Sequence, residues 1–422
     1  MRRMCCALHS LPPRNAKMKL KQNKNINCSQ GGDLMNTFLK RALELKEETI
    51  AHRRFLHQHA EIRDDLPITA GYVKEQLLKV GIEPVEICKS GITALIGKGK
   101  TGKTIMLRAD MDALDMKEDS GLPFSSQTPY AHCCGHDLHT AMLLTAAKML
   151  KEREEELNGM VKLMFEPGEE YLMGAQPMLD AGILENPKVD AAVDIHVNSR
   201  IPLGNVAVCK GYTCASCYGM ELTVNGKSCH GAWPHTGTDT INVAAHIYLS
   251  LQELIARETP GDLTAILTFG QFAGGNTANI IPSQVVMQGT LRTFDRDLRA
   301  KLIRRLHTVI DHTAAAFEAS VDFKVLSDVP ALVTNPELLD ELTGYLGDFG
   351  VEFVPYPPST AADDFSRVSE LVPSAFFSLG CQPTGDGPFY PPHNPKILFN
   401  EDALPIGAAL HAQCAYQYLK NR

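Results

Sequence analysis

The chain has 422 residues, a formal net charge of −8 at pH 7 and 44% hydrophobic residues. That length suits about two domains of ~100–200 residues, with enough apolar content for a sizeable core. The acidic balance argues against nucleic-acid or anionic-membrane partners, and no apolar run approaches the roughly 18 residues of a membrane span. Twelve cysteines at irregular spacing, several in apolar surroundings, fit a reduced cytoplasmic protein better than a disulfide scaffold.

Residues 1–34 are basic, polar and rich in Lys and Asn, without the apolar core of a signal peptide. They are expected to be a disordered leader, with the fold starting near Met35. From Asn36 to about Arg63 the apolar residues recur with helical spacing, through Phe38, Leu39, Ala42, Leu43 and Leu45. A second helix is predicted over Thr69–Val80, ended by Gly81.

Short apolar strands then alternate with helices. Ile105–Leu107 leads into Arg108-Ala109-Asp110-Met111-Asp112. The loop Cys133-Cys134-Gly135-His136-Asp137-Leu138-His139 opens a helix whose buried stripe is Met142, Leu143, Ala146, Met149 and Leu150. Val161–Phe165 ends in Glu166-Pro167-Gly168-Glu169-Glu170, and Ala191–Ile195 ends in His196. The alternation predicts an α/β domain with a central mixed sheet flanked by helices. Each chemically interesting group follows a strand end, where sites form in open α/β sheets.

The style changes after about Gly211. Tyr218–Val224 alternates apolar and polar residues and runs into Asn225-Gly226, a hairpin signal. A helix over Asp239–Arg257, strands over Leu263–Phe269 and Gln284–Phe294, a helix over Leu298–Phe317 and a strand over Val321–Val325 follow. This order predicts an inserted α+β satellite domain over 213–327, a four-stranded antiparallel sheet with two helices. Residues 35–212 and 328–422, with Leu371–Leu379 as a core strand, would form the first domain.

Cys134 and His136 are a thiol and an imidazole two residues apart, a pair suited to Zn, Co, Ni or Mn. Alone, a Cys-Gly-His is more often a structural cysteine beside a core histidine. Its company changes the weighting. Glu169-Glu170 follows a buried strand, where one carboxylate can bind metal while its neighbour moves a proton. His196 ends a strand, and His393 sits in the rigid loop Pro391-Pro392-His393-Asn394-Pro395.

The segments Arg53-Arg54-Phe55-Leu56-His57, Arg108 to Leu114, Cys134 to Thr140, Glu166 to Glu170, Asp363-Asp364-Phe365-Ser366 and His393 to Lys396 occur in this order. Together they resemble the amidohydrolase branch of the aminoacylase/carboxypeptidase metallopeptidase family, from about Asn36 to the C-terminus. That branch includes hippurate hydrolases, indole-acetyl-amino-acid hydrolases and N-acyl-amino-acid deacylases.

The resemblance implies a site of two divalent metal ions (zinc, manganese, cobalt or nickel). Cys134, His136, Glu170, His196 and His393 would be ligands, with the Cys134 thiolate bridging, and Glu169 the general acid/base. Asp112 would orient the ligands from behind, while His139 either assists the metal shell or only begins the helix. In the satellite domain His230 matches the histidine that stabilises the oxyanion, sometimes across a dimer. Asn279 and Arg292 match residues that grip the substrate carboxylate, a role suited to the planar guanidinium fork.

Three departures stand out. Asp115 replaces a proline, Cys133 an alanine, and Tyr171-Leu172-Met173 follows the glutamate pair where a glycine is usual, next to the substrate pocket. The expected activity is hydrolysis of the amide joining an acyl group to an amino acid. A dipeptidase or carboxypeptidase of the same family, and a non-catalytic binder of acylated amino acids, are the alternatives. The expected partners are a small-molecule substrate and a second copy of the chain, with no nucleic acid and no membrane.

Overall fold

A computed structural model describes residues 37–347, 349–384 and 388–421. The leader expected over 1–34 lies outside these residues. The parallel strands Gly159–Glu166, Lys103–Asp110, Ala191–Asn198 and Ser374–Gly380 form the centre of an eight-stranded sheet. Gly91–Ile96 and Pro84–Cys88 extend one side antiparallel. On the other side Asn205–Val208 runs antiparallel to Ser374–Gly380, with Glu352–Pro355 parallel beyond it.

Strand side chains alternate between the two faces. Ile105, Leu107 and Ala109, with Val161, Leu163, Phe165, Val193 and Ile195, enter the larger core. Met106, Met164, Ala192 and Phe376 enter a smaller one with Met178, Phe365 and Val368. The same alternation sends Arg108, Asp110, Glu166 and Asp194 to that second face at the carboxyl ends of the strands. There they are buried charges rather than packing residues.

The helix His136–Glu152 is buried on nearly all sides, not along one stripe. It packs between Lys46–Gln58 and Ala403–Lys420 as well as on the sheet. The first expected helix is two, Thr37–Glu44 and Lys46–Gln58, separated at Leu45. It stops at Gln58 because the following segment bridges Ile62 to Ala113 and takes Arg63 through φ 63°. The second begins at Pro67, where a missing N–H costs nothing.

The second sheet has the order Ala265–Ala273, Gln284–Thr293, Cys217–Asn225, Ser320–Val329, all antiparallel. Helices Thr240–Glu258 and Arg296–Ala316 cover one face. Leu298, Leu302, Leu306 and Ile310 lie one turn apart on the buried side of the latter. Asp239 and Asp295 cap these helices by accepting from the N–H groups of Asn242 and Leu298.

Asn225-Gly226 does not make a hairpin. Cys217–Asn225 pairs with Gln284–Thr293 and Ser320–Val329, and the chain leaves Gly226 for a short ribbon, Cys229–His230 against Ile280–Ile281. A Cβ at Gly226 would meet Thr240 Cγ2 at 2.7 Å, so close approach to the helix start accounts for that glycine. Among the described residues no helix is long and apolar enough to cross a membrane.

Candidate metal centre

The loop between Cys133 and His136 turns on Gly135, which has φ 98° and no room for a side chain; a Cβ there would lie 2.4 Å from Val197. The turn presents Cys134 and His136 to one space, while the Cys133 side chain goes into the core and its carbonyl accepts from the His393 N–H at 3.1 Å. His393 itself has φ 62°, a conformation rarely held by a residue with a side chain.

The five expected ligands converge. Cys134, His136 and His196 offer ligand atoms within 4.8 Å of one another, as do Cys134, Glu170 and His393. Cys134 belongs to both groups, which suits a bridging thiolate. His196 donates from Nδ1 to the Val197 carbonyl at 2.7 Å, leaving Nε2 free 3.6 Å from Cys134 Sγ. His393 Nε2 lies 3.3 Å from Glu170.

His136 is fully buried, and neither of its ring nitrogens makes a hydrogen bond. Nε2 faces Asp110, Glu169 and Glu170 at 3.6, 3.8 and 3.8 Å. Glu170 Oε1 is also buried without a hydrogen-bond partner. Orphaned ligand atoms of this kind call for a cation.

Electrostatics agree. Burial lowers the His136 pKa, but Asp110, Asp112 and Glu170 more than reverse this and lift it to about 10. Burial, then Glu170 and Glu169, pushes the Cys134 thiol well above its ordinary range. Glu170 is raised to about 7, chiefly by burial. Glu169 is raised well above the carboxylate range by burial and by Asp363, Glu170 and Asp364. A surplus of buried negative charge that only protons balance is the complement of divalent ions.

Asp112 stands behind this group. Its carboxylate accepts the backbone N–H of Glu169 at 3.0 Å and of Glu170 at 3.2 Å, and lies 3.3 Å from His136 Nδ1. His139 is a support: Nε2 accepts the Val197 N–H at 2.8 Å, so Nδ1 carries the proton and donates to Asp110 at 2.6 Å. Both nitrogens are therefore engaged within the protein.

Sequence reasoning left out the carboxylate cage around Arg108. This fully buried guanidinium meets Glu166 at 2.8 Å, Asp110 at 2.7 Å, Asp194 at 3.1 Å, Asp363 at 3.5 Å and Asp364 at 3.7 Å. The available signal was an arginine inside an otherwise apolar strand. The cage ties three strand ends to the Asp363–Asp364 segment beside Glu169. A second network, Arg53 and His57 on Asp137 Oδ2 at 3.1 and 2.9 Å, holds the start of the helix next to His136.

A cavity of about 550 Å³ opens on the centre. Cys134, Glu169, Glu170, His196, His393 and Arg292 line it. Of the unusual Tyr171-Leu172-Met173 run, Leu172 reaches the cavity, from a backbone at φ 54°, whereas Tyr171 stacks on Arg63 at 4.3 Å. His230 and Asn279 do not line it. They are exposed on the two-stranded ribbon, where the Gly231 N–H donates to the Asn279 carbonyl.

Residues 106–417 match the family described as peptidase family M20/M25/M40. The chain belongs to this family. Thermostable carboxypeptidase 1 of Saccharolobus solfataricus is 34% identical, covering 92% of this chain and 99% of its own. N-acetyl-L-cysteine deacetylase of Bacillus subtilis is 35% identical over 85% of each chain. IAA-amino acid hydrolase ILR1-like 4 of Arabidopsis thaliana is 35% identical over 93% of this chain and 92% of its own. In structure, a dinuclear metal-binding M20 peptidase from Bacillus subtilis matches with TM-score 0.75 and 29% identity, covering 90% of this chain and 100% of that one. The resemblance read from the motifs is borne out, and the cofactor of the site is a pair of divalent metal ions.

Proposed function

We propose that this M20 enzyme hydrolyses N-acyl amino acids to a carboxylic acid and a free amino acid, with Cys134, His136, Glu170, His196 and His393 as metal ligands. Relatives named as deacetylase and amino-acid hydrolase support the reaction class. One observation favours an acylated substrate over a free peptide. The carboxylates among the described residues lining the cavity are Glu169, Glu170 and Asp363, all packed at the centre itself. None is left over to receive a free α-amino group, whereas Arg292 is available to a carboxylate.

Two bound divalent ions supply Lewis acidity, polarising the scissile carbonyl and acidifying water. Glu169 takes a proton from the attacking water, the role open to the carboxylate of the glutamate pair that is not spent on metal. The water oxygen bonds to the amide carbon. When the C–N bond breaks, Glu169 returns the proton to the departing nitrogen. Arg292, whose Nη1 donates to the Thr360 carbonyl at 3.2 Å, is held in place for the α-carboxylate. Asp112 keeps Glu169 and Glu170 in register. The Cys134 thiolate favours a soft ion among zinc, cobalt, nickel and manganese.

We divide the enzyme into a catalytic domain, 35–212 with 328–422, and a satellite domain, 213–327. His230 and Asn279, exposed and outside their own chain's cavity, are read as serving the oxyanion and substrate at the site of a second copy. Exposed Trp233, Ile241, Leu249 and Ile280 on the same satellite support a homodimer through that surface. The nine described cysteines are all free, which supports a reducing, cytoplasmic setting.

The deciding experiment is a panel of N-acetyl, N-benzoyl, indole-acetyl and dipeptide substrates on metal-reconstituted protein. Hydrolysis of acylated amino acids above dipeptides is expected. Preference for dipeptides would transfer the site to the peptidase reading, and no turnover with metal bound would leave only a binding role.

A further inference from the structure

Arg200 lies just past His196, at the end of the central strand, and lines the same cavity as Arg292. Its backbone N–H is fixed by the Asn198 side chain at 2.9 Å. Arg41, Arg53, Arg54, Arg108, Arg153, Arg299 and Arg305 all meet carboxylates. Among the described residues neither Arg200 nor Arg292 does. The cavity therefore holds two guanidinium groups that meet no carboxylate among the described residues, one following a main-sheet strand and one from the second sheet. The apolar side chains of Val197, Val208 and Phe376 also line it.

On the hydrolase reading, Arg292 takes the α-carboxylate. A substrate whose only charge is that carboxylate gives Arg200, solvent-exposed in the free protein, no partner of opposite charge, and so forgoes an attraction that a dianion gains. A second carboxylate answers the guanidinium with a charge-assisted, bidentate contact. We propose that the enzyme selects dianionic N-acyl amino acids and that Arg200 is the residue that reads the second carboxylate. This inference rests on the amidohydrolase reading for its chemistry but not for its binding prediction.

The second carboxylate can belong to the amino acid or to the acyl group, and two substrate pairs separate these sources. N-acetyl-L-glutamate is compared with its monoanionic isostere N-acetyl-L-glutamine, and the dianion N-succinyl-L-leucine with the monoanion N-butyryl-L-leucine. For one pair, kcat/KM is expected to favour the dianion by about tenfold or more, mostly through KM, as loss of one charge-assisted contact implies. Arg200→Gln should collapse that ratio toward one, and Arg200→Lys should restore part of it. Dianion-to-monoanion ratios near one for both pairs, or a ratio unmoved by Arg200→Gln, would overturn the proposal while leaving the hydrolase reading intact. Calorimetric titration of the metal-loaded Glu169→Gln protein with the same pairs measures binding independently of turnover. Tighter binding of a dianion, lost in the Arg200→Gln, Glu169→Gln double variant, supports the proposal. Equal binding of all four compounds refutes it even if no substrate is cleaved.

Discussion

Replacing Asp112 with alanine tests how the centre is held from behind. The carboxylate is 1% exposed and accepts the N–H groups of both Glu169 and Glu170 while facing His136 Nδ1. Asp112→Ala strips two buried N–H groups of their acceptor, and each such loss costs about 1–3 kcal/mol. A fall in folding stability of about 2–6 kcal/mol is therefore expected for the metal-free protein. Removal of a carboxylate that orients a ligating imidazole should also weaken metal binding by about 10–100-fold. Asp112→Asn keeps one carbonyl acceptor but turns an amide donor toward a backbone donor, so an intermediate loss is expected. Urea denaturation of metal-free protein reads the first quantity, and competition against a chromophoric chelator reads the second. An Asp112→Ala protein with unchanged urea midpoint and unchanged metal affinity would show that the contacts carry neither stability nor orientation.

Three further outcomes follow from the same geometry. Glu169→Gln should retain both metal ions by elemental analysis while kcat falls by about 10²–10⁴-fold, the usual worth of a general base; near-normal kcat would remove Glu169 from that role. Arg108→Met leaves five buried carboxylates without their cation and should cost about 3–5 kcal/mol at neutral pH. Without the guanidinium Asp110 loses the charge that holds it below the carboxylate range, and Glu166, Asp194 and Asp364 rise further above it, so the deficit is largest at neutral pH and should shrink as pH falls. Denaturation at several pH values checks that slope, and a deficit that grows on acidification would contradict it. For His57, burial lowers the pKa, but the hydrogen bonds to Asp137 and Glu118 dominate and raise it from 6.5 to about 9. Its contribution to metal-free stability is therefore fully present below 6.5 and lost as pH rises through about 9. His57→Gln should flatten the stability–pH curve across that interval, and an unaltered curve would exclude the network as its source.

Much of this enzyme was legible along the chain because ligand identity is local. Cys134-Gly135-His136 and Glu169-Glu170 place their groups two residues or fewer apart, and the strand alternation and helix stripes set element types that the fold keeps. Helix ends and the Asn225-Gly226 turn were less legible, because Arg63 and Gly226 answer to distant partners, Ala113 through its bridge to Ile62 and the Thr240 helix start. Of the cage around Arg108 only the arginine in its apolar strand and Asp110 two residues on were local: the other four carboxylates, from three further segments, become partners when parallel strands set Asp110 opposite Glu166 and Arg108 opposite Asp194. The same holds for Arg200, an ordinary surface cation in sequence that the fold brings to the cavity of Arg292. Sequence alone determined which side chains have the chemistry of a two-metal hydrolase. Tertiary structure decided which of them share one low-dielectric space, and there mutual burial and charge set protonation, orientation and the substrate the cavity can accept.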